Sequence, residues 1–210
     1  MNRAGVFISI EGGEGAGKST VLAALRQLLQ DSGREVVLTR EPGGTPEGEA
    51  IRALLLDPDR AWVPEAELLL MFASRAQLVR QVVQPALARG AAVITDRFTD
   101  ASFAYQGGGR GLDAGLIAEL ERSAAGIKPD LSFLLDLGVA QGLARARARG
   151  GAPDRIESER EEFFERVRST YLARAAAEPA RWRVIDASQP AEAVLGQVSA
   201  ALSAWLAQRP

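Results

Sequence analysis

The chain has 210 residues, 25 lysines and arginines against 27 aspartates and glutamates, and a formal net charge of −2. That length predicts one domain spanning 1–210 with a sizeable core, and the charge offers no basic field for nucleic acid. Cysteine and histidine are both absent, which excludes disulfides, thiolate nucleophiles, Cys/His zinc sites and imidazole acid–base chemistry.

The first apolar run, Val6–Ile10, has the length and β-branched content of a buried strand. Only Met1-Asn2-Arg3-Ala4-Gly5 precedes it, too little for a signal peptide. No apolar stretch approaches the ~18 residues of a bilayer span. A soluble, cytoplasmic protein without a membrane partner is the expectation.

Directly after this strand come Gly12, Gly13, Glu14, Gly15, Ala16, Gly17, Lys18, Ser19 and Thr20, and then the helix-forming Val21-Leu22-Ala23-Ala24-Leu25. Gly12, Gly17, Lys18 and Ser19 meet the spacing G-x-x-x-x-G-K-[ST] in a strand–loop–helix setting. The glycines let successive N–H groups point into one concave loop. The helix adds its positive N-terminal end, Lys18 an ammonium for β- and γ-phosphates, and Ser19 a hydroxyl for Mg²⁺. This stretch predicts nucleoside triphosphate binding.

Further short apolar runs at Glu35–Thr39, Ala92–Asp96, Leu131–Leu135 and Arg183–Asp186 alternate with helical patterns. The helical patterns are Ser19–Asp31, Glu47–Leu56, Glu65–Arg89, Asp113–Ala125, Val139–Arg149, Glu159–Ala177 and Ala191–Gln208. Such alternation predicts a parallel sheet covered on both faces, with ligands at the carboxyl ends of its strands. Pro85 should kink or divide the long third helix.

Chemistry-bearing residues cluster where the strands end. Asp96-Arg97 could hold Mg²⁺ and grip a phosphate, or form a surface ion pair. Arg40-Glu41-Pro42-Gly43-Gly44-Thr45 specifies an ordered turn, and the next helix carries Arg52. Tyr105-Gln106-Gly107-Gly108-Gly109-Arg110-Gly111 reads either as a wall for a planar ring or as a mobile loop. Arg75 is the charged member of an otherwise apolar helix, with Met71 and Phe72 in position to share its face. The basic run from Arg145 to Arg149, stopped by Gly150-Gly151 and Pro153, reads as a lid, at about 145–157, that closes arginines over phosphates.

Taken together, Glu11–Thr20, Arg40–Thr45, Asp96-Arg97-Phe98, Ala104–Gly111, Pro129-Asp130-Leu131 and Arg145–Glu157 occur in the order found in bacterial thymidylate kinases, a family that this chain resembles from about Val6 to its last helix. The resemblance implies a three-layer P-loop NTPase fold, with a five-stranded parallel sheet, helices on both faces and a mobile lid. It implies transfer of the γ-phosphoryl group of ATP to dTMP, giving dTDP, with Mg²⁺ and in a homodimer. By position, Lys18 and Ser19 would serve the ATP phosphates and the metal, with Asp96 organising the metal shell. Arg97 and Arg52 would hold the phosphate of dTMP. Glu14 would accept from the 3′-hydroxyl, and Tyr105 would close off the 2′ position. Arg75 would read the thymine carbonyl edge with Ser102 and Gln106 nearby, and Met71 or Phe72 would cover the thymine face.

Some members carry an arginine just after the acidic residue of the phosphate loop. Here Glu14 is followed by Gly15-Ala16, so the lid must supply that charge, and Arg149 aligns best with it. The missing histidine fits such chemistry, because a phosphate acceptor is already anionic and needs no base. The rivals are another nucleoside-monophosphate or deoxynucleotide kinase and a nucleotide-dependent switch, although the chain has no guanine-reading Asn-Lys-x-Asp motif.

Overall fold

The apolar runs form five strands in the computed structural model, which describes residues 4–150 and 154–208. They are β1 (Val6–Gly12), β2 (Val36–Arg40), β3 (Ala92–Asp96), β4 (Leu131–Asp136) and β5 (Trp182–Asp186). All neighbours run parallel, in the order β2-β3-β1-β4-β5. The most buried strand, β1, therefore lies at the centre and delivers the glycine loop to the middle of one sheet edge. Phe7 donates its N–H to Asp130 Oδ2 at 2.8 Å, so the Pro129-Asp130-Leu131 turn ties the start of β4 to β1.

Between the strands lie α1 (Lys18–Asp31), α2 (Pro46–Leu56), α3 (Pro64–Leu78), α4 (Gln84–Ala88), α5 (Thr99–Ser102), α6 (Ala114–Leu120), α7 (Val139–Ala148), α8 (Glu161–Ala177) and α9 (Ala191–Ala207). Alternation along β1 decides what each face receives. Val6, Ile8 and Ile10 pack with Leu25 and Leu29 of α1 and with Val198 and Leu202 of α9. Phe7 turns to the other face, against Leu78, Val79, Val83 and Phe98. On that same face Leu134 and Trp182 meet Phe163, Phe164, Val167 and Tyr171 of α8.

This second face also buries polar groups. Ser9 and Ser132 hydroxyls lie 2.8 Å apart. Asp100, 1% exposed, accepts from Arg174 and Arg181. Buried charge is tolerated here because each group is paired and hydrogen-bonded.

One helical pattern breaks where the sequence expects it to, and one glycine-rich stretch proves helical. The long pattern Glu65–Arg89 is divided, as Pro85 requires. α3 passes into a π-helical turn, Val79–Val83, before α4 begins with Pro85 in its first turn. The wider turn accommodates a proline ring that would strike the carbonyl one turn earlier in a regular helix.

The glycine-rich stretch after Ser102 is not a mobile loop. It continues α5 as a π-helical segment, Phe103–Gly109. Its glycines permit close approach to α8: a Cβ on Gly108 would stand 2.0 Å from Thr170 Oγ1, and one on Gly109 2.4 Å from Phe163 Cε2. Among the described residues no helix is long and apolar enough to cross a membrane.

Candidate active site

The glycine loop turns at Gly12, Gly15 and Gly17, with φ of 137°, 70° and 91°, in the left-handed region that side chains disfavour. Gly17 precedes α1 without any side-chain cap, leaving the first N–H groups of that helix open to an anion. Lys18 folds back over the loop, donating to the carbonyls of Gly12 and Gly13 at 3.3 and 3.0 Å. Burial and the nearby Arg97 lower its pKa, while Glu14 and Asp96 oppose that shift. Ser19 and Thr20 are exposed in the first turn of α1, and Ala16 is buried beneath the loop. On the outer side of the loop a groove is lined by Ala16, Gly17, Thr20, Arg145, Ala187 and Pro190.

A cavity of ≈ 240 Å³ opens on the other side of the loop. Glu14 and Lys18 form its boundary with the loop, and the remaining lining includes Arg52, Met71, Arg75, Asp96, Arg97, Ser102, Tyr105 and Gln106, with the Arg40–Pro42 turn and Asp154, Ile156 and Glu157 beside them. Residues from six separate chain segments are thus gathered at the carboxyl ends of β1, β2 and β3. Phe72 is not on this wall. It packs with Leu68, Phe103 and Ile117 in the core, and the Arg75 guanidinium lies over its ring at 4.4 Å. Met71 is the member of the pair on the cavity side because it lies one full turn before Arg75.

Arg97 is the one non-glycine residue among those described with positive φ, at 70°. Three hydrogen bonds clamp this strained turn. Arg97 N–H donates to the Ile10 carbonyl at 3.0 Å, Thr95 Oγ1 donates to the Arg97 carbonyl at 2.8 Å, and Phe98 N–H donates to Glu11 Oε1 at 2.9 Å. Strain held in this way is characteristic of functional positions. The clamp aims the guanidinium at the glycine loop, where it donates to the Gly12 carbonyl and to Glu14 Oε1, each at 2.6 Å. The Tyr105 hydroxyl reaches the same Glu14 oxygen at 3.1 Å. Burial pushes the Glu14 carboxyl up, but Arg97, Lys18 and Tyr105 outweigh it and bring the pKa to about 2.

Arg75 is 1% exposed and held on three sides. It donates to Glu41 Oε2 at 2.7 Å, Ser102 Oγ at 3.1 Å and the Phe98 carbonyl at 3.2 Å. Burial raises the Glu41 pKa to about 7 against the opposing charge of Arg75. Arg52 donates to the Pro42 carbonyl at 3.0 Å, which makes the Arg40–Thr45 turn part of the cavity wall.

Of the basic residues in the segment expected to form a lid, Arg145 donates to the Ala187 carbonyl at 2.9 Å. Arg155 donates to the Leu55 carbonyl at 2.8 Å and to Glu67 Oε2 at 2.6 Å. Arg149 follows the end of α7 and lines a separate cleft with Glu14, Arg147 and Glu159, where its charge also lowers the Glu14 pKa. The lid positions 151–153, with the expected Gly151 and Pro153 stop signals, lie outside the described residues.

Sequence reasoning passed over Glu11, Glu41, Glu67 and Tyr171. Glu11 accepts from Phe98 N–H and, at 2.8 Å, from the Tyr171 hydroxyl. Burial and the charge of Asp100 raise its pKa to about 8, against Tyr171 and Arg97. Glu67 shares a helix with Arg75, but its partners Gln106, Arg110 and Arg155 lie far along the chain. The partners of Glu11 come from distant parts of the chain and left no local sign.

The thymidylate kinase family profile matches residues 10–198 of the chain. A thymidylate kinase of Pseudomonas putida (strain W619) is 55% identical over 199 residues, covering 94% of this chain and 96% of that protein. One from Pseudomonas savastanoi pv. phaseolicola is 55% identical over 206 residues, covering 97% and 96%. The crystal structure of a thymidylate kinase from Ehrlichia chaffeensis superposes with a TM-score of 0.77 at 32% identity, covering 95% of this chain and 99% of that one. With its glycine loop, arginine-lined cavity and sheet order in place, the chain belongs to the thymidylate kinase family.

Proposed function

We propose that the chain transfers the γ-phosphoryl group of ATP to dTMP, giving dTDP and ADP. The observation that carries this reading is one wall shared by two anion sites. Lys18 and Glu14 stand between the glycine loop and a cavity that holds Arg52, Arg75 and Arg97. A triphosphate cradled by the loop would then end where an acceptor phosphate gripped by Arg97 and Arg52 begins. An acceptor phosphate oxygen forms the new P–O bond as the bond from the γ-phosphorus to the bridging oxygen breaks and ADP leaves. No general base is required, so positioning and neutralisation of charge supply the rate.

The roles follow from what each side chain has left to offer. Gly12 to Thr20 cradle the ATP phosphates, with Lys18 turning from the loop carbonyls to the phosphates when they bind. Glu14 Oε1 is taken up by Arg97 and Tyr105, which leaves Oε2 for the 3′-hydroxyl of the deoxyribose. Tyr105 then stands against a 2′-hydroxyl. Met71 covers the base, and Arg75, Ser102 and Gln106 read its edge. Arg149 supplies the positive charge over the transferring group.

Among the described residues no three acidic side chains gather to hold a metal on their own. The donor set suits a cation that takes most of its ligands from phosphate and water, as Mg²⁺ does. Asp96 Oδ1 is buried without a hydrogen-bond partner, and it and the Ser19 hydroxyl would hold that ion. Bound there, Mg²⁺ would neutralise part of the phosphate charge.

We further propose that residues 1–210 act as one domain, in a cytoplasmic homodimer without a nucleic-acid or membrane partner. Exposed Val63 and Leu69, at the start of α3 and along it, give a second copy apolar surface to cover, and sedimentation would test the dimer. The activity is tested by turnover with dTMP, dUMP, dCMP, dGMP and AMP, each with and without Mg²⁺. Strong preference for any acceptor except dTMP would overturn the assignment, and steady hydrolysis without an acceptor would favour a switch.

A further inference from the structure

Glu67 in α3 is 1% exposed and is not itself part of the cavity wall, yet three side chains from two separate segments converge on it. Gln106 Nε2 donates to its Oε1 at 2.9 Å. Arg155 Nη2 donates to Oε2 at 2.6 Å, and Arg110 reaches both oxygens at 3.4 and 3.3 Å. Burial raises its pKa, but Gln106, Arg110 and Arg155 outweigh burial and hold it below the ordinary carboxylate value. An ionised carboxylate can only accept, so the Gln106 side chain must present its NH₂ to it. Its carbonyl oxygen is then the polar atom left over for the cavity that Gln106 lines.

We propose that Glu67 is a positioning residue for base recognition, fixing Gln106 so that the cavity offers an acceptor to a ring N–H and repels a ring nitrogen lone pair. This deepens the proposed dTMP kinase reading and rests on it. A thymine or uracil edge presents acceptor, donor, acceptor, with the N–H at the centre. Cytosine carries a lone pair at that central nitrogen. Arg75, locked by Glu41, Ser102 and the Phe98 carbonyl, supplies donors for a flanking carbonyl, and Gln106 supplies the central acceptor. Two fixed groups of opposite polarity therefore read two adjacent ring positions. Without Glu67 the amide is free to turn over and would donate to cytosine. The same carboxylate holds Arg155, so the lid segment and the base-reading amide share one anchor.

The test compares the wild-type chain with Glu67→Gln and Glu67→Asp, using kcat/KM for dTMP and dCMP, Ki of dCMP against dTMP, and KM for ATP. Glu67→Gln should lower the dTMP-to-dCMP selectivity by about tenfold or more, since discrimination at a polar site depends on leaving the wrong partner unpaired. KM for ATP reports separately on the lid segment that Arg155 anchors, and the change in selectivity should exceed any change in it, because the donor loop does not touch Glu67. Glu67→Asp keeps the negative charge near both arginines but draws the carboxylate back by one methylene, breaking the direct bond to Gln106. It should relax selectivity in the same direction, and it remains informative if Glu67→Gln does not fold. Equal losses toward both nucleotides in the folded variants, with selectivity unchanged, would show that Glu67 only holds α3 in place and would overturn the inference. Failure of the wild-type chain to phosphorylate dTMP would instead remove the underlying reading, a result distinguishable from normal turnover with unaltered selectivity.

Discussion

Gly15 of the phosphate loop and Gly142 of α7 are in direct contact. A Cβ on Gly15 would stand 2.1 Å from the Gly142 carbonyl oxygen, and one on Gly142 would stand 2.5 Å from the Glu14 carbonyl oxygen. The helix that carries the proposed lid arginines is therefore seated on the backbone of the glycine loop proposed to cradle the donor, with no side chain between them. Gly142→Ala suits a helix in itself, so the strain falls on the contact and less on the fold. Turnover should drop by about a hundredfold, the cost of displacing a catalytic element by about 1 Å, while Tm changes little. A Tm loss that accounts for the whole activity loss would contradict this.

Arg149 is the arginine proposed to act on the transferring group. Arg145 is engaged with the Ala187 carbonyl, and Arg155 with Leu55 and Glu67. Arg149→Ala should lower kcat by roughly 10³–10⁵, the range for a charge supplied at the transition state, with KM for dTMP changed far less. Near-normal kcat in Arg149→Ala beside a collapse in Arg145→Ala or Arg155→Ala would reassign the role.

The raised pKa of Glu11 makes stability depend on pH. The folded value of about 8 exceeds the ordinary 4.5 because of burial and Asp100. Below the unfolded pKa both states are protonated, so stability does not vary with pH through Glu11. As pH rises from 4.5 toward 8, the unfolded chain releases this proton and the folded chain retains it, so stability falls across that window. Glu11→Gln keeps the shape and removes the titration. The Tm of the variant relative to wild type should rise between pH 5 and pH 8, as thermal melts at both pH values would show. A difference that does not vary with pH would mean that Glu11 is ionised in the native state.

Gly109→Ala places a methyl group on the Phe163 ring, which lies 2.4 Å from that position at its nearest atom. Overpacking of this kind costs about 1–3 kcal/mol. Because Tyr105 and Gln106 belong to the same π-helical segment, KM for dTMP should rise with the loss of stability. Denaturant unfolding together with KM measurements checks both. A variant as stable as wild type would show that α8 yields at this point.

The local pattern of residues determined much of this protein. Glycine spacing after an apolar run specified the phosphate loop, alternation of short apolar runs with helical periods specified a parallel sheet, and Pro85 specified the break after α3. These features depend on backbone conformation and side-chain periodicity, which neighbouring residues settle among themselves. What only the tertiary structure decided depends on groups that meet across long separations. The glycines after Gln106 carry the composition of a turn, and only the approach of Thr170 and Phe163 makes them a packed helical segment. Met71 and Phe72 are adjacent and both apolar, and only the position of the cavity separates wall from core. Glu11 and Glu67 look like ordinary acids in the sequence. Buried, each must find donors, and the donors at Phe98 and Tyr171, and at Gln106 and Arg155, become partners only when the chain closes around them.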